Sequence, residues 1–294
     1  MPSVKDLRER IRSLKNTQQI TKAMKQVAAA KIRRAEAAQK QARPYADTLA
    51  EMLRDLMNAV STVDHPFMKP GNASAPMGVI LMTADKGLAG AFNSNVIRAG
   101  ELFAREQKEV AWYTVGIKAR NAVRRMGKPN HPTWVLNAPS KIDVARAVAK
   151  QVTDDFIGGK ISGITLISSK LITMMVQRPE TRQMVPIVAD ALRAKGDAGE
   201  AESHAPKGSV EFAPSPEFVL SRLLPKYLEF TIFSAMLETD AAFFAAQLLA
   251  MNNATDNAGK LIDELTIQMN NARQAAITKE LLEIVGGAEA LVNG

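Results

Sequence analysis

The sequence predicts an α/β domain carried between two long helices, and three observations predict it. Apolar residues recur every three or four positions through about residues 3–60. Short apolar runs then alternate with helical stretches between residues 79 and 188. Helical periodicity returns from about residue 215 and runs to about residue 290.

In the first segment the apolar positions are Leu7, Ile11, Leu14, Ile20, Met24, Val27, Ala28, Ile32 and Ala35, continuing through Tyr45, Leu49, Met52, Leu53 and Leu56. Ser3, with Asp6 three residues on, is an amino-terminal capping pair. Pro44 is expected to kink or restart the helix, because proline lacks the amide proton and its ring crowds the preceding turn. At 1.5 Å per residue such a helix spans roughly 60–85 Å. It must lie against another long element or protrude.

The three prolines, Gly71, Asn72 and Ser74 within residues 64–76 mark a linker. Beyond it the period changes. Val79–Met82, Val110–Gly116 and Trp134–Leu136 read as strands, each followed by a helical stretch at about 93–109, 117–126 and 141–157. Ile164–Ile167 and Thr173–Val176 read as two further strands, with Gln183–Val188 as a candidate sixth. Residues 194–210, rich in Gly, Ala, Ser, Lys and Glu, read as a loop.

Ser215-Pro216-Glu217 opens the last helix with a cap residue, a proline at the first helical position and an acid beside it. Pro225 predicts a kink or a fresh start. From Leu261 the stripe Leu261, Leu265, Met269, Ala272 and Ala276, with Leu281, Ile284, Val285 and Ala288 beyond, is close to heptad spacing. The two terminal helices can bury their stripes by pairing antiparallel. The boundaries expected are 1–63 for the first shaft helix, 64–210 for the inserted domain and 211–294 for the second shaft helix.

Composition narrows the function. The chain has no cysteine, which rules out disulfides and thiolate metal sites, and His65, His131 and His204 have no metal-ligand spacing. The start lacks an apolar signal region, and no run approaches the 18 or so apolar residues of a membrane span, so membrane association is expected only through partners. Two glycosylation sequons, at Asn72 and Asn253, are then incidental. Net charge is +8, yet residues 1–43 alone hold 12 Lys/Arg against 3 Asp/Glu. A basic helix of this kind fits a solvated face, an anionic surface, nucleic acid or an acidic protein partner.

No catalytic pattern stands out. The turn Asp85-Lys86-Gly87-Leu88-Ala89-Gly90-Ala91-Phe92-Asn93 follows a strand and opens a helix, where a phosphate loop would sit, but it has neither the Walker spacing nor the three-glycine dinucleotide pattern. It reads as a tight turn that needs small residues. There is no nucleophile elbow and no recognisable carboxylate pair, and no cofactor or metal is expected.

Three ordered stretches carry a family resemblance. Ile11–Lys31 (IRSLKNTQQITKAMKQVAAAK), Thr83–Asn93 (TADKGLAGAFN) and Ala250–Ala258 (AMNNATDNA) with Asn271–Ala288 (NARQAAITKELLEIVGGA) resemble the gamma subunits of rotary F-type ATP synthases, in order and along the whole chain. The resemblance implies an antiparallel coiled coil of the terminal helices with an inserted Rossmann-like α/β domain. It implies a non-catalytic central shaft inside a ring of three alpha and three beta subunits. The inserted domain would touch an epsilon-type subunit and the membrane ring of c subunits. Active sites would belong to alpha and beta, and the chain would bind neither nucleotide nor nucleic acid.

Carried over residue by residue, Arg273, Gln274 and Thr278 match polar contacts to the beta subunits, and Met24 and Lys25 lie in the segment that faces a beta-subunit loop. One region departs from the family pattern. Where members show an acid and then an arginine, this chain reads Ala242-Phe243-Phe244-Ala245-Ala246-Gln247. The cysteine pair of the chloroplast type is also absent. The expected location is the cytoplasmic face of a bacterial inner membrane, although a mature mitochondrial chain would look similar. The alternatives are a basic coiled coil that binds nucleic acid, an enzyme built on the α/β domain, and a static scaffold. The three differ in salt-dependent DNA binding, in substrate binding by the domain, and in leaving ATPase rate unchanged.

Overall fold

The computed structural model describes residues 3–59, 65–128, 131–187 and 215–292. Helix α1 is Val4–Ala59, and a short 3-10 turn covers Pro66–Met68. The order then runs β1 (Met77–Met82), α2 (Phe92–Glu106), β2 (Val110–Val115), α3 (Ile117–Arg125), β3 (Thr133–Trp134), α4 (Lys141–Ile157), β4 (Ile164–Thr173) and β5 (Val176–Val185). Helix α5 is Pro216–Val292. The chain divides into two compact units, Met1–Ala28 with Gln247–Gly294, and Ala29–Ala246.

Both long helices pass through their prolines. Pro44 and Pro225 lie inside continuous helix rather than at a restart, as the sequence suggested they would. Each proline, and the residue four positions earlier whose carbonyl loses its partner (Lys40 and Ser221), is exposed. Water can therefore satisfy the freed oxygen. The capping pair at the start of α1 is reciprocal: the Ser3 amide donates to Asp6 Oδ2 at 3.1 Å and the Asp6 amide to Ser3 Oγ at 3.2 Å. At the start of α5 the Phe218 amide donates to Ser215 Oγ at 3.2 Å.

The larger unit is built on a five-stranded sheet of order β3-β2-β1-β4-β5. β1, β2, β3 and β4 are parallel, and β5 closes the edge antiparallel to β4. Alternation decides which face each side chain covers. Val79 and Leu81 of β1, with Val110 and Trp112 of β2, pack with Val96 of α2 and Ala119 and Val123 of α3. Ile80 and Met82, with Tyr113 and Val115, pack on the other face with Val148 and Val152 of α4, Leu53 and Leu56 of α1, and Leu224, Leu228 and Ile232 of α5. One α5 window does meet the length and hydropathy of a membrane span (mean hydropathy 1.3), contrary to the reading that no such run exists. However, 61% of it is buried within the fold. It is apolar because it is a core helix.

The strand assignments need two corrections. Thr173–Val176 is not a strand of its own: Thr173 ends β4, Val176 opens β5, and Met174-Met175 between them is the hairpin turn, held where Thr173 Oγ1 accepts from the amides of Met175 (3.3 Å) and Val176 (3.1 Å). What read as a separate strand at Gln183 is the end of β5; Val188 and the loop expected at 194–210 lie outside the described residues. β3 stops at Trp134, because the amide of Leu136 turns to the Asp85 carboxylate instead of the ladder.

In the smaller unit, α1 and α5 run antiparallel. Gln18 Nε2 donates to the Thr255 carbonyl (3.4 Å), Thr21 and Thr255 share a hydroxyl–hydroxyl bond (2.8 Å), and Lys25 Nζ donates to Asn252 Oδ1. Residue numbers thus rise on one helix as they fall on the other. In α1, buried or half-buried positions recur at 7, 11, 14, 18, 21, 25 and 28, the alternating four–three step of a coiled-coil seam. Those on α5 recur at 251, 255, 258, 262, 265 and 269.

Candidate partner-binding surfaces

The seam contains a polar layer that the sequence reading did not find. Ile20 and Val27, read as stripe residues, are 61% and 54% exposed, and the seam instead passes through Gln18, Thr21 and Lys25. On α5, Leu261 is exposed and Ile262 takes the seam. Each polar seam residue finds a partner on α5, so the layer is satisfied rather than strained. The Lys25 ammonium points across the pair to Asn252, beside half-buried Met24.

The same register shows where α5 becomes unpaired. Thr21 meets Thr255 and Lys25 meets Asn252, so the paired numbers sum to about 276. Val4, the first residue of α1, then lies level with about residue 272. Beyond it, Arg273, Gln274 and Thr278 are exposed, with the Thr278 hydroxyl donating to the Gln274 carbonyl at 3.0 Å. Here too are Ile277 (49% exposed), Leu281 (57%), Leu282 (67%), Ile284 (68%) and Val285 (59%). The heptad reading carried the stripe on past Ala272, but α1 supplies nothing to cover it.

The structure therefore brings Met24 and Lys25 together in one place, and Arg273, Gln274 and Thr278 in another. The 21 positions between Asn252 and Arg273 correspond to about 32 Å along one helix. These are two surfaces, one on the paired stretch and one on the unpaired end. The exposed basic side chains of α1, such as Arg8, Arg12 and Lys22, flank the first.

In the larger unit the Thr83–Asn93 turn builds structure. Asp85 Oδ1 accepts from the amides of Ile117 (3.0 Å) and Leu136 (3.3 Å), and its Oδ2 from that of Asn137 (2.8 Å). The carboxylate caps the start of α3 and anchors the segment after β3 at once. Thr83 Oγ1 accepts from the Ala119 amide at 2.7 Å, and Asn93 Oδ1 from the Ala84 amide at 3.0 Å. Gly116 sits at φ +97°, and a Cβ there would lie 2.0 Å from the Thr83 carbonyl oxygen, so only glycine fits.

In a doubly wound sheet the ligand crevice lies outside the carboxyl ends of the strands, where the order reverses. Here that corner, between β1 and β4, is filled from within. Ala84, Ala89 and Phe92 pack with Ile32 and Ala35 of α1 and with Ala241–Ala246 of α5, Leu171 closing the side. Phe243 and Phe244 supply much of the filling. Phe243 meets Phe92 at 5.7 Å and Phe244 at 5.2 Å between ring centroids, and Lys31 lies 5.2 Å over the Phe244 ring. Two carboxylates sit near this core. Asp240 pairs with Lys141 at 3.2 Å, while burial, more than that ammonium can offset, raises its pKa. Burial, then the nearby Glu180 carboxylate, raises that of Glu238.

Comparison with known proteins agrees with this geometry. The family model described as ATP synthase matches residues 3–291. The ATP synthase gamma chain of Heliobacterium modesticaldum is 41% identical over 292 residues, covering 99% of this chain and 100% of that one. The gamma chain of Pelotomaculum thermopropionicum is 42% identical over 293 residues, with the same coverage. Among solved structures, a chain of the Euglena gracilis mitochondrial ATP synthase OSCP/F1/c-ring aligns with a TM-score of 0.67 and 18% identity, covering 98% of this chain and 94% of that one, a likeness of fold. By sequence along its whole length, and by a fold of two long helices around an α/β insertion, the chain belongs to the ATP synthase gamma-chain family.

Proposed function

We propose that the chain is the central rotor shaft of an F-type ATP synthase, coupling ion flow through a membrane c-ring to ATP synthesis or hydrolysis at catalytic sites on alpha and beta subunits. The observation that carries this reading is the end of α5, where, among the described residues, apolar side chains from Ile277 to Val285 stay exposed. An apolar end suits a sleeve of partner chains, because hydrophobic contact is non-directional and does not fix one rotational angle.

The partners are three alpha and three beta subunits, an epsilon subunit and the c-ring, and the chain meets the membrane only through them. Arg273, Gln274 and Thr278 contact beta subunits from the unpaired end of α5; Met24 and Lys25 do so from the paired stretch, beside the exposed cations of α1. Exposed ion pairs contribute only about 0–1 kcal/mol each. A turning shaft can break and remake them within a drive of about 2.3 kcal/mol per elementary charge per 100 mV. The chain contributes no catalytic residue. The domains are 1–63, 64–210 and 211–294. The complex is peripheral to a membrane, and the location proposed is the cytoplasmic face of a bacterial inner membrane.

The test mixes the full chain with cognate alpha and beta subunits and measures stoichiometry and ATPase rate together. One copy per three alpha–beta pairs, with ATPase dependent on it, supports the shaft. Failure to join, or ATPase indifferent to its omission, overturns it in favour of a scaffold or a nucleic-acid-binding coiled coil. The latter would show steeply salt-dependent DNA binding.

A further inference from the structure

Helix α3 and the residues after it hold five cations, Lys118, Arg120, Arg124, Arg125 and Lys128, and residues 116–132 contain no carboxylate. Elsewhere in this unit several cations find acids, such as Lys141 with Asp240, Lys160 with Asp155 and Lys170 with Glu180. Among the described residues none of the five on α3 does so; Arg120 donates to the Asn121 side chain at 3.3 Å and the others make no side-chain bond. Glu101, one turn beyond Ile97 on α2, makes no ion pair with them either.

Their placement is concave rather than scattered. Lys118, Arg124 and Arg125 line a cavity of about 660 Å³ between α2 and α3, with Asn121 beside them and Asn93 and Ser94 on the α2 wall. Ile97 is its only large apolar side chain. Arg124 also lines an adjoining cavity of about 320 Å³ with Arg120, Lys128 and His131. Uncompensated like charges around one recess repel each other, and a bound anion relieves that cost. Guanidinium groups in pairs match the oxygens of a phosphate, two N–H groups to two oxygens.

We propose that the α2–α3 cleft binds a phosphate-bearing anion, with Lys118, Arg124 and Arg125 as its ligands. The proposal does not rest on the rotor reading. Burial, and then the Lys128 ammonium, hold the His131 imidazole below its ordinary value of 6.5.

The experiment titrates the full chain with pyrophosphate by calorimetry in about 0.1 M salt, where charges more than about 10 Å apart are screened. In parallel it measures cosedimentation with phosphatidylglycerol vesicles. One pyrophosphate per chain is expected. Arg124→Gln should weaken binding about tenfold and Lys118→Gln/Arg125→Gln about a hundredfold, as for loss of one and two charged hydrogen-bonding groups. Arg33→Gln/Arg34→Gln, exposed on α1, should leave binding within about twofold. Vesicle binding alone, lost in the cleft variants and kept in the α1 control, assigns the phosphate to a lipid headgroup. No saturable binding of either probe up to about 1 mM phosphate groups, or equal losses in the α1 control, overturns the proposal.

Discussion

Phe92, at the start of α2, and Phe243, in the middle of α5, meet edge to face with ring centroids 5.7 Å apart and planes at 67°. The contact joins the inserted domain to a shaft helix within one packed core, where Phe243 is 4% exposed. The pair is apolar, so the join depends on shape and burial. Phe243→Ala should destabilise the chain by about 3–5 kcal/mol, the transfer and cavity cost of a buried phenyl ring. In a double-mutant cycle with Phe92→Ala, urea denaturation should report a coupling of about 0.5–1.5 kcal/mol. Additive losses would show that the two rings pack independently.

The polar layer predicts an asymmetry between single and double substitutions. Lys25→Met leaves the Asn252 side chain without its partner across the seam. It should cost about 1–2 kcal/mol, while Lys25→Met/Asn252→Leu should recover most of that loss, because replacing both members of a polar pair is far less costly than orphaning one. Thermal melts of the two variants check this. A double variant as unstable as the single would show that the layer is held mainly by Thr21 and Thr255.

The coarse fold was legible because its signals are local. The 3.6-residue period of the terminal segments and the apolar run-turn-helix rhythm of the middle need no knowledge of neighbours; α4 was placed at the residues it occupies, and β1 and β2 within two. What misled was anything decided by tertiary contact. Ile20 and Val27 are more apolar than Gln18 and Thr21, and only the partner helix, with Thr255 and Asn252 in place, makes the polar positions the buried ones. Thr173–Val176 has β-branched ends, but the Thr173 hydroxyl is bound to the amides of a turn. Leu136 reads as strand until Asp85, 51 positions away, captures its amide. Of the candidate surfaces, the charged and polar residues came from family resemblance. The exposure of Leu281 and Leu282 came only from the structure, because periodicity alone does not say which stretch of a stripe is covered.

Glu238 gives the larger unit a pH response opposite to that of an ordinary paired carboxylate. It is half-buried, faces the Glu180 carboxylate as well as Lys170 and Arg182, and accepts from the Leu171 amide. Burial and Glu180 raise its pKa above the ordinary 4.5, so the folded state holds its proton more tightly than the unfolded chain. The stabilisation from protonation is complete below 4.5 and is lost as pH rises through the higher folded value. Glu238→Gln, which keeps the acceptor for Leu171, should therefore be more stable than the parent at pH values above that folded value, with the difference shrinking towards 4.5. Urea midpoints across that range read the effect, and a constant difference would mean that Glu238 does not titrate on folding.

Leu281 and Leu282, at the unpaired end of α5, separate the stability of the chain from its association with partners. Both are more than half exposed, and α1 has no residue opposite them. Leu281→Ser/Leu282→Ser removes little that the isolated chain buries, so its unfolding free energy should stay within about 0.5 kcal/mol of the parent. If this end enters a sleeve of alpha and beta subunits, the same change forfeits the burial of two leucines. That is about 1.5–3 kcal/mol for each fully covered side chain, and roughly tenfold or more in affinity even if only one is covered. The measurement is the concentration of chain needed to restore ATPase to alpha and beta subunits, compared with a urea melt of the chain alone. A melt that drops with assembly unchanged would place these leucines inside the fold. An unchanged melt with unchanged assembly would mean that the apolar end of α5 meets no partner, and that the grip of the sleeve lies on the paired stretch around Lys25.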